Sequence, residues 1–180
     1  MPEPSMLVTG IPGPVRFRPV ADGDETALAD IFNYYVEHSL AAFPDRPVPV
    51  EGVHALLMEG ASLASLAAVL DDGRGGGIVA GFGLLRPHSR FSTFAHTAEI
   101  TAFLAPGRTG LGIGHELYRR LFDEGRRLGV RRVLACIAEP NAGSLRFHAA
   151  QGFRECGRFP GVMRKAGLEV DIVWMVKTLD

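Results

Sequence analysis

Three glycines alternate between Arg108 and His115, and this short loop constrains the fold more than any other stretch of the chain. The residues before it, Phe94–Leu104, have the composition of a β-strand, and those after it have the periodicity of an amphipathic helix that ends at Gly129. The apolar face of that helix carries Ile113, Leu117, Leu121 and Leu128. Glycine lets a loop approach a ligand closely, and the first amides of a helix have no partner inside the helix. A strand, a glycine loop and a helix N-terminus in this order predict a site for an anion, most often a phosphate.

The loop does not fit the two common nucleotide-binding motifs. A Rossmann fingerprint needs the spacing G-x-G-x-x-G in an early βαβ unit, whereas this spacing is G-x-G-x-G and falls past mid-chain. A P-loop needs Lys and Ser or Thr after its last glycine, whereas Gly114 is followed by His115 and Glu116. The alternative to a phosphate site is a glycine-rich connection that holds no ligand.

Length and composition indicate one ordinary globular domain. The chain has 180 residues, of which 47% are hydrophobic and 22% charged, and its net charge is -1, so no broad basic surface attracts nucleic acid or an anionic membrane. Cys136 and Cys156 form neither a disulfide framework nor a zinc pattern, and we expect both to be buried. Because no apolar run reaches the length of a membrane span, we expect a soluble, cytoplasmic protein.

Hydrophobic periodicity predicts the element order β-α-α-β-β-β-α-β-α-β-β after a proline-rich tail at residues 1–14. The predicted strands are Val15–Pro19, Ser65–Leu70, Ile78–Leu85, Phe94–Leu104, Arg131–Ala138, Phe153–Phe159 and Val170–Lys177. The predicted helices follow a cap at Asp22–Asp24, cover Val50 to about Ser62, follow the glycine loop, and run from a cap at Asn141 to about Gln151. Residues 15–180 are therefore predicted to form a single α+β domain.

Several segments together resemble the GCN5-related N-acetyltransferases, the GNAT superfamily, and in particular their phosphinothricin acetyltransferase-like subgroup. The resemblance runs from about Val15 to Leu179. The matching segments are the glycine loop, Glu139–His148, Gln151–Phe153, Phe17-Arg-Pro, Asn33-Tyr-Tyr before Ala42-Phe43, His96-Thr-Ala-Glu99, and Lys165-Ala-Gly167 before Asp171. The resemblance implies a mixed, mostly antiparallel sheet flanked by about four helices. It also implies transfer of an acetyl group from acetyl-CoA to a primary amine, by direct attack on the thioester, in a protein that is commonly a homodimer and needs no metal.

The resemblance also places coenzyme A at the glycine loop. Backbone amides between about Leu111 and His115 would hold its pyrophosphate, and either Arg108 or Thr109 would add a side-chain contact. The residues assigned to acetyl-CoA binding are Thr101, Phe103, Thr109, Gly110, Leu111, Gly112, Ile113, Gly114, His115, Asn141 and Ser144.

Glu99 is the candidate catalytic base. An amine substrate is protonated at neutral pH and must lose a proton before it attacks a thioester. A carboxylate in an otherwise apolar strand is desolvated, which makes a carboxylate a better base, acting alone or through a water. The alternative is that Glu99 is paired with a neighbour at the strand edge.

His148 is the second catalytic candidate, seven residues after the helix cap at Asn141. Its imidazole could protonate the leaving thiolate or accept the proton of the amine, and the sequence leaves both open. The alternative is a helix histidine that packs under Phe153. Asn141 itself is expected to cap its helix and to offer its NH₂ group to coenzyme A or a water. The side chains of His38, His54 and His88 show no spacing typical of a metal site, so no metal ligands are predicted.

The acceptor is predicted from two segments, Phe43–Pro47 and Lys165–Asp171, which the resemblance places at the substrate pocket. The subgroup usually has tryptophan at the position of Glu169, so phosphinothricin itself is less well matched than a general amino-acid-like amine of the phosphinothricin or methionine sulfoximine type. Arg46, Arg86 or Arg90 could pair with a substrate carboxylate. The alternatives are a catalytically idle acyl-CoA-binding module and an acetyltransferase that acts on a protein amine.

Overall fold

The structure is a computed structural model in which residues 15–57, 62–71 and 77–180 are described. The predicted tail at residues 1–14, the end of the second predicted helix and most of the turn after residue 71 lie outside these ranges, as do the side chains of Leu56 and Leu57.

The order of elements is the predicted one. The strands are β1 (Val15–Pro19), β2 (Ala64–Asp71), β3 (Gly77–Pro87), β4 (Thr97–Leu104), β5 (Arg132–Ala138), β6 (Arg154–Lys165) and β7 (Leu168–Thr178). The helices are α1 (Glu25–His38), α2 (Val50–Leu57), α3 (Ile113–Arg127) and α4 (Ala142–Ala150), with a short 3₁₀ turn at Ser92–Phe94.

Several details of the predicted elements were wrong. The strand predicted to end at Phe159 continues to Lys165. β4 starts at Thr97, because the residues before it form the 3₁₀ turn. Leu128 lies beyond the end of α3 and is 46% exposed, so it does not belong to the apolar face of that helix. Asp24 stands at the N-cap of α1, but its carboxylate pairs with Arg18 at 2.6 Å and accepts the amide of Ala21 instead of capping the helix.

One mixed sheet joins all seven strands in the order β1-β2-β3-β4-β5-β7-β6. Every neighbouring pair is antiparallel except β4 and β5, which are parallel. The parallel ladder has three register pairs and ends at Glu99 opposite Leu134. β4 continues to Leu104 and β5 to Ala138, so the described part of the chain shows no pairing between them over their carboxyl-terminal halves. The predicted fold, a mostly antiparallel mixed sheet with helices, is confirmed.

Helices cover both faces of the sheet. Tyr118, Leu121 and Phe122 of α3 pack in the same buried cluster as Ile100 of β4 and Val133 of β5. On the other face, an apolar cluster unites α1 with residues of β3 and β4. Side chains alternate between faces along a strand, so neighbours on β4 belong to different clusters.

Lys165 fastens the β6–β7 hairpin to the end of α1. It is buried, and its Nζ donates hydrogen bonds to the carbonyl oxygens of Ser39 at 2.9 Å and Ala42 at 2.6 Å. Burial lowers the pKa of Lys165, and the charge of Asp45 opposes that shift. These bonds hold the segment after α1 against the hairpin, the two parts of the chain that the resemblance places at the acceptor.

Replacing Lys165 by Met should lower the free energy of unfolding by about 1–3 kcal/mol, because the buried carbonyl of Ala42 and the partly buried carbonyl of Ser39 lose their donor. Arg164→Met is the matched control, since Arg164 is exposed on the same strand, and it should change the stability by less than about 0.5 kcal/mol. Urea unfolding of both variants measures the difference. Equal losses in the two variants would contradict this role.

Candidate active site

The glycine loop turns into α3 through left-handed backbone conformations. Gly110 has φ 77° and Gly112, the N-cap of α3, has φ 80°, values that side-chain-bearing residues rarely adopt. Among the described atoms nothing lies within 4 Å of a Cβ built at either position, so conformation and not crowding requires glycine there.

The N-terminus of α3 offers free backbone donors. Its first intrahelical bond runs from the amide of Glu116 to the carbonyl of Gly112 at 3.1 Å, so helix geometry leaves the preceding amides without a partner in the helix. Gly112, having no side chain, supplies no cap to them. The resulting positive end of the helix dipole is suited to an anion.

The side chains of the predicted loop residues point in different directions. Ile113 is buried against Leu117, whereas Leu111, 48% exposed, and His115 lie on the surface. A Cβ on Gly114 would lie 3.5 Å from the ring of Phe147, so this glycine brings α3 close to α4. What these residues share towards a ligand is their backbone amides, and not one direction of their side chains.

The unpaired half of β4 faces a gap beside β5. The amide of His88 donates to Thr97 O and that of Ala105 donates to Ala80 O, which fixes the alternation of the β3–β4 ladder. By that alternation, Thr101 and Phe103 direct their backbone groups to β3, while Ala102 directs its amide and carbonyl into the gap. For a backbone contact to a ligand in the gap, Ala102 is therefore better placed than the predicted residues Thr101 and Phe103.

Phe103 and Leu104, at the carboxyl end of β4, both make contacts with α1. The ring of Phe103 is buried and packs against Phe32 and Tyr35, each with ring centroids 5.3 Å away. The carbonyl of Leu104 accepts a hydrogen bond from the Tyr35 hydroxyl at 2.7 Å. Tyr35 thereby connects α1 to the last residue of β4.

Asn141 caps α4 as predicted, since its Oδ1 accepts the amide of Ser144 at 3.1 Å. This use of the oxygen leaves the NH₂ group available. Asn141 also lines a cavity of about 270 Å³ between the end of α1 and the start of α4. The lining residues are Tyr35, Ser39, Leu40, Ala41, Pro140 and Asn141.

His148 is held inside the protein by both ring nitrogens. Its Nδ1 lies 2.8 Å from the carbonyl oxygen of Ser144, which can only accept, so Nδ1 carries the proton. Its Nε2 then accepts the hydroxyl proton of Tyr118 at 2.9 Å. Burial lowers the pKa of His148 and raises that of Tyr118. The ring also packs against Phe153 with centroids 5.1 Å apart, the alternative arrangement considered from the sequence.

Glu99 is not isolated among apolar groups. It is the last paired residue of β4 on the β5 side, and its Oε1 lies 2.8 Å from His88 Nδ1. Its Oε2 lies 3.4 Å from the guanidinium of Arg86. The charge of Glu99 also reaches Cys136 on β5, where burial first and this charge second raise the pKa of the thiol to about 11. The alternative considered above, a Glu paired with its neighbours, is what the structure shows.

Other predictions about single residues have mixed outcomes. Cys136 is partly buried, but Cys156 is exposed, so burial was wrong for it. Sequence reasoning overlooked His88 and Tyr118, the partners of the two catalytic candidates. The partner His88 could have been found by pairing the two predicted strands as a hairpin. In the observed register, residues 86, 88, 97 and 99 lie on one face of the sheet.

Comparison with known proteins places the chain in a family. The model of the acetyltransferase (GNAT) family matches residues 28–153. The chain belongs to the GNAT acetyltransferase family. The assignment made from the glycine loop and the α4 segment is confirmed, and with it the expectation of an acetyltransferase.

Individual relatives cover nearly the whole chain. A phosphinothricin N-acetyltransferase of Streptomyces coelicolor is 34% identical over 166 residues, which cover 92% of this chain and 96% of that protein. An L-methionine sulfoximine/L-methionine sulfone acetyltransferase of Salmonella typhimurium is 31% identical, with 92% and 94% covered. The structure of yncA from Salmonella typhimurium with its cofactor acetyl-CoA has a TM-score of 0.78 at 29% identity and covers 92% of this chain and 94% of that one.

No helix in the described ranges of this GNAT chain is long and apolar enough to span a membrane.

Acidification should test the state of His148. Its pKa in the folded protein is lowered from 6.5, so the unfolded chain binds the proton first as the pH falls. The stability it contributes is therefore complete above about pH 6.5 and declines, by at most about 1.4 kcal/mol per pH unit, as the pH drops towards the folded pKa. His148→Gln keeps an acceptor for Tyr118 and should flatten this decline in urea unfolding between pH 7.5 and 5.

The control for that experiment is His96→Gln, because His96 is exposed at the surface. It should decline with pH as the wild type does. An unchanged slope in His148→Gln would show that the imidazole is not kept neutral by burial.

Proposed function

We propose that residues 15–180 form one acetyltransferase domain that moves the acetyl group of acetyl-CoA to the primary amine of a small, amino-acid-like substrate. The observation that carries this proposal is the unpaired half of β4 beyond Glu99, which leads along the chain into the uncapped N-terminus of α3. A diphosphate-binding helix end and an adjacent strand gap suit the two parts of coenzyme A, its pyrophosphate and its extended pantetheine arm. The relatives named above act on phosphinothricin and methionine sulfoximine, both small amino-acid-like amines.

The cofactor is held mainly by backbone. Amides from Gly110 to His115 bind the pyrophosphate, with a side-chain contact from Thr109 or Arg108. The pantetheine arm lies in the gap beside Ala102, whose amide and carbonyl face it. At the start of α4, the NH₂ group of Asn141 and the hydroxyl of Ser144 add side-chain contacts to the cofactor.

The reaction then needs a proton acceptor and an oxyanion donor. The ammonium form of the substrate loses a proton to a base at Glu99, which acts directly or through an intermediary, and the free amine attacks the thioester carbonyl. A β4 amide that faces the gap, that of Ala102, stabilises the oxyanion of the tetrahedral intermediate. His148 has both nitrogens engaged, so it acts by holding Tyr118 and α4 in place and not by direct proton transfer.

The acceptor enters from the side of α1. The cavity next to Asn141 has a volume suited to a small molecule, and its lining residue Tyr35 bonds to the carbonyl of Leu104 at the end of β4. Arg46 and Arg90 are exposed and remain candidates for the substrate carboxylate, whereas Arg86 is engaged with Glu99. We further propose a cytoplasmic homodimer, as the family resemblance suggests.

Release of coenzyme A tests the function directly. The purified protein is mixed with acetyl-CoA, a thiol-reactive dye and a panel that contains L-phosphinothricin, L-methionine sulfoximine and common amino acids. We expect release with at least one amino-acid-like amine. Tight acetyl-CoA binding without release for any amine would indicate an idle binding module, and release only with peptides would indicate a protein acceptor.

Two glycine variants test the pyrophosphate site. Gly112→Ala and Gly129→Ala both force alanine into a left-handed conformation, with φ 80° and 81°, at opposite ends of α3. Each should cost about 1–2 kcal/mol of unfolding free energy. Only Gly112→Ala should weaken coenzyme A binding, by about tenfold, because its strain falls on the amides that hold the anion.

Calorimetric titration with coenzyme A measures both affinities, and urea unfolding measures both stabilities. If the two variants bound coenzyme A with the same affinity, the pyrophosphate would lie elsewhere.

A further inference from the structure

Both carboxylate oxygens of Glu99 are already engaged in the protein. His88 Nδ1 lies 2.8 Å from Oε1, and an Arg86 nitrogen lies 3.4 Å from Oε2. The first distance is that of a full hydrogen bond and the second that of a weaker ion pair. An amine that delivered its proton straight to Glu99 would have to displace one of these two partners.

The hydrogen bond to Glu99 orients the imidazole of His88. A carboxylate accepts hydrogen bonds, so Nδ1 carries the proton, and in the neutral imidazole the lone pair is on Nε2. Phe94 and Trp174 flank the ring edge to face, with centroids 5.6 Å and 6.2 Å away, and they fix its plane. The side chain of His88 is 31% exposed, against 23% for Glu99, so the histidine is the more accessible of the two.

The pair lies on the face of the sheet that carries the cavity. Residues 99, 101 and 103 share one face of β4, and Phe103 on that face packs against Tyr35 of α1. Tyr35 also lines the cavity. An amine that enters from this side meets the sheet on the surface where His88 and Glu99 lie, at the closed end of the β4–β5 gap.

We propose that His88 is the catalytic base that deprotonates the amine, and that Glu99 is a positioning residue that acts through it. The inference rests on the proposed acetyl transfer. In it, His88 takes the place of the water that would otherwise carry the proton from the amine to Glu99. A carboxylate behind an imidazole selects its tautomer and stabilises the imidazolium that forms. Imidazole is also the side chain whose protonation changes near neutral pH.

The step balances as follows. The substrate ammonium gives one proton to His88 Nε2, which becomes imidazolium and later releases that proton to water. The nitrogen lone pair forms the C–N bond to the acetyl carbon, and the C–S bond breaks with its electron pair on sulfur. A second proton from the same nitrogen goes to the thiolate, which leaves an amide and the free thiol of coenzyme A.

The other titratable or charged groups near this pair do not compete for the role. Arg86 on β3 is a cation and can only donate. Cys136 on β5 stays a thiol at neutral pH, because burial and the charge of Glu99 raise its pKa to about 11. Its thiol is therefore neither base nor nucleophile in the reaction.

Three variants test the proposal with acetyl-CoA and L-methionine sulfoximine, or the best amine of the panel. His88→Gln keeps a polar side chain but has no basic nitrogen, and its kcat should fall by about 10²–10³-fold, with the affinity for acetyl-CoA within about twofold of wild type. The double variant His88→Gln/Glu99→Gln should be no slower than His88→Gln alone, because the two residues act as a unit. His96→Gln, an exposed histidine close by in sequence, should retain wild-type activity.

Chemical rescue separates a base from a structural support. Added imidazole should restore part of the activity of His88→Ala, more so for more basic imidazoles, and should leave Glu99→Gln unchanged. The proposal would be overturned if His88→Gln kept kcat within about threefold of wild type while Glu99→Gln lost 10²-fold, since Glu99 would then be the base itself. Absence of rescue in a folded His88→Ala that binds acetyl-CoA would also overturn it. A wild type inactive on every amine would instead refute the acetyl transfer, and this role with it.

Discussion

The pairing of β4 with β5 ends at Glu99, and the whole site depends on that interruption. A parallel ladder normally satisfies every backbone group between two strands. Here, within the described chain, the carboxyl-terminal halves of the two strands are not paired with each other, so an extended ligand can take the place of a neighbouring strand. The same interruption puts Glu99, the only carboxylate of β4, at the closed end of the gap.

Contacts on both faces of the sheet keep the gap in place. On one face, Gly114 allows α3 to approach Phe147 of α4 closely, and the buried bond from Tyr118 to His148 joins the two helices. On the other face, Tyr35 reaches from α1 to the carbonyl of Leu104. Buried polar groups of this kind are costly unless they are paired, so these bonds define one arrangement of the helices around the gap.

The parts of the site that depend on local sequence could be predicted. The glycine loop needs left-handed backbone at fixed positions, and the cap at Asn141 involves residues three apart, so both can be read from neighbouring residues. The partners of Glu99 could not be predicted in this way. His88 reaches Glu99 only through the β3–β4 register, and the intervening residues include a 3₁₀ turn that the strand pattern concealed. Tyr118 and His148 are 30 residues apart, and their bond follows from how α3 packs on α4.

The central claim is that amides at the start of α3 and along the free edge of β4 bind coenzyme A. Backbone amide NMR spectra recorded during titration with acetyl-CoA test it most directly. We expect the largest chemical-shift changes at Gly110–His115 and at Ile100–Leu104, with little change at Gly129 at the far end of α3. Saturable binding that left both segments unperturbed, or no binding at all, would contradict the account.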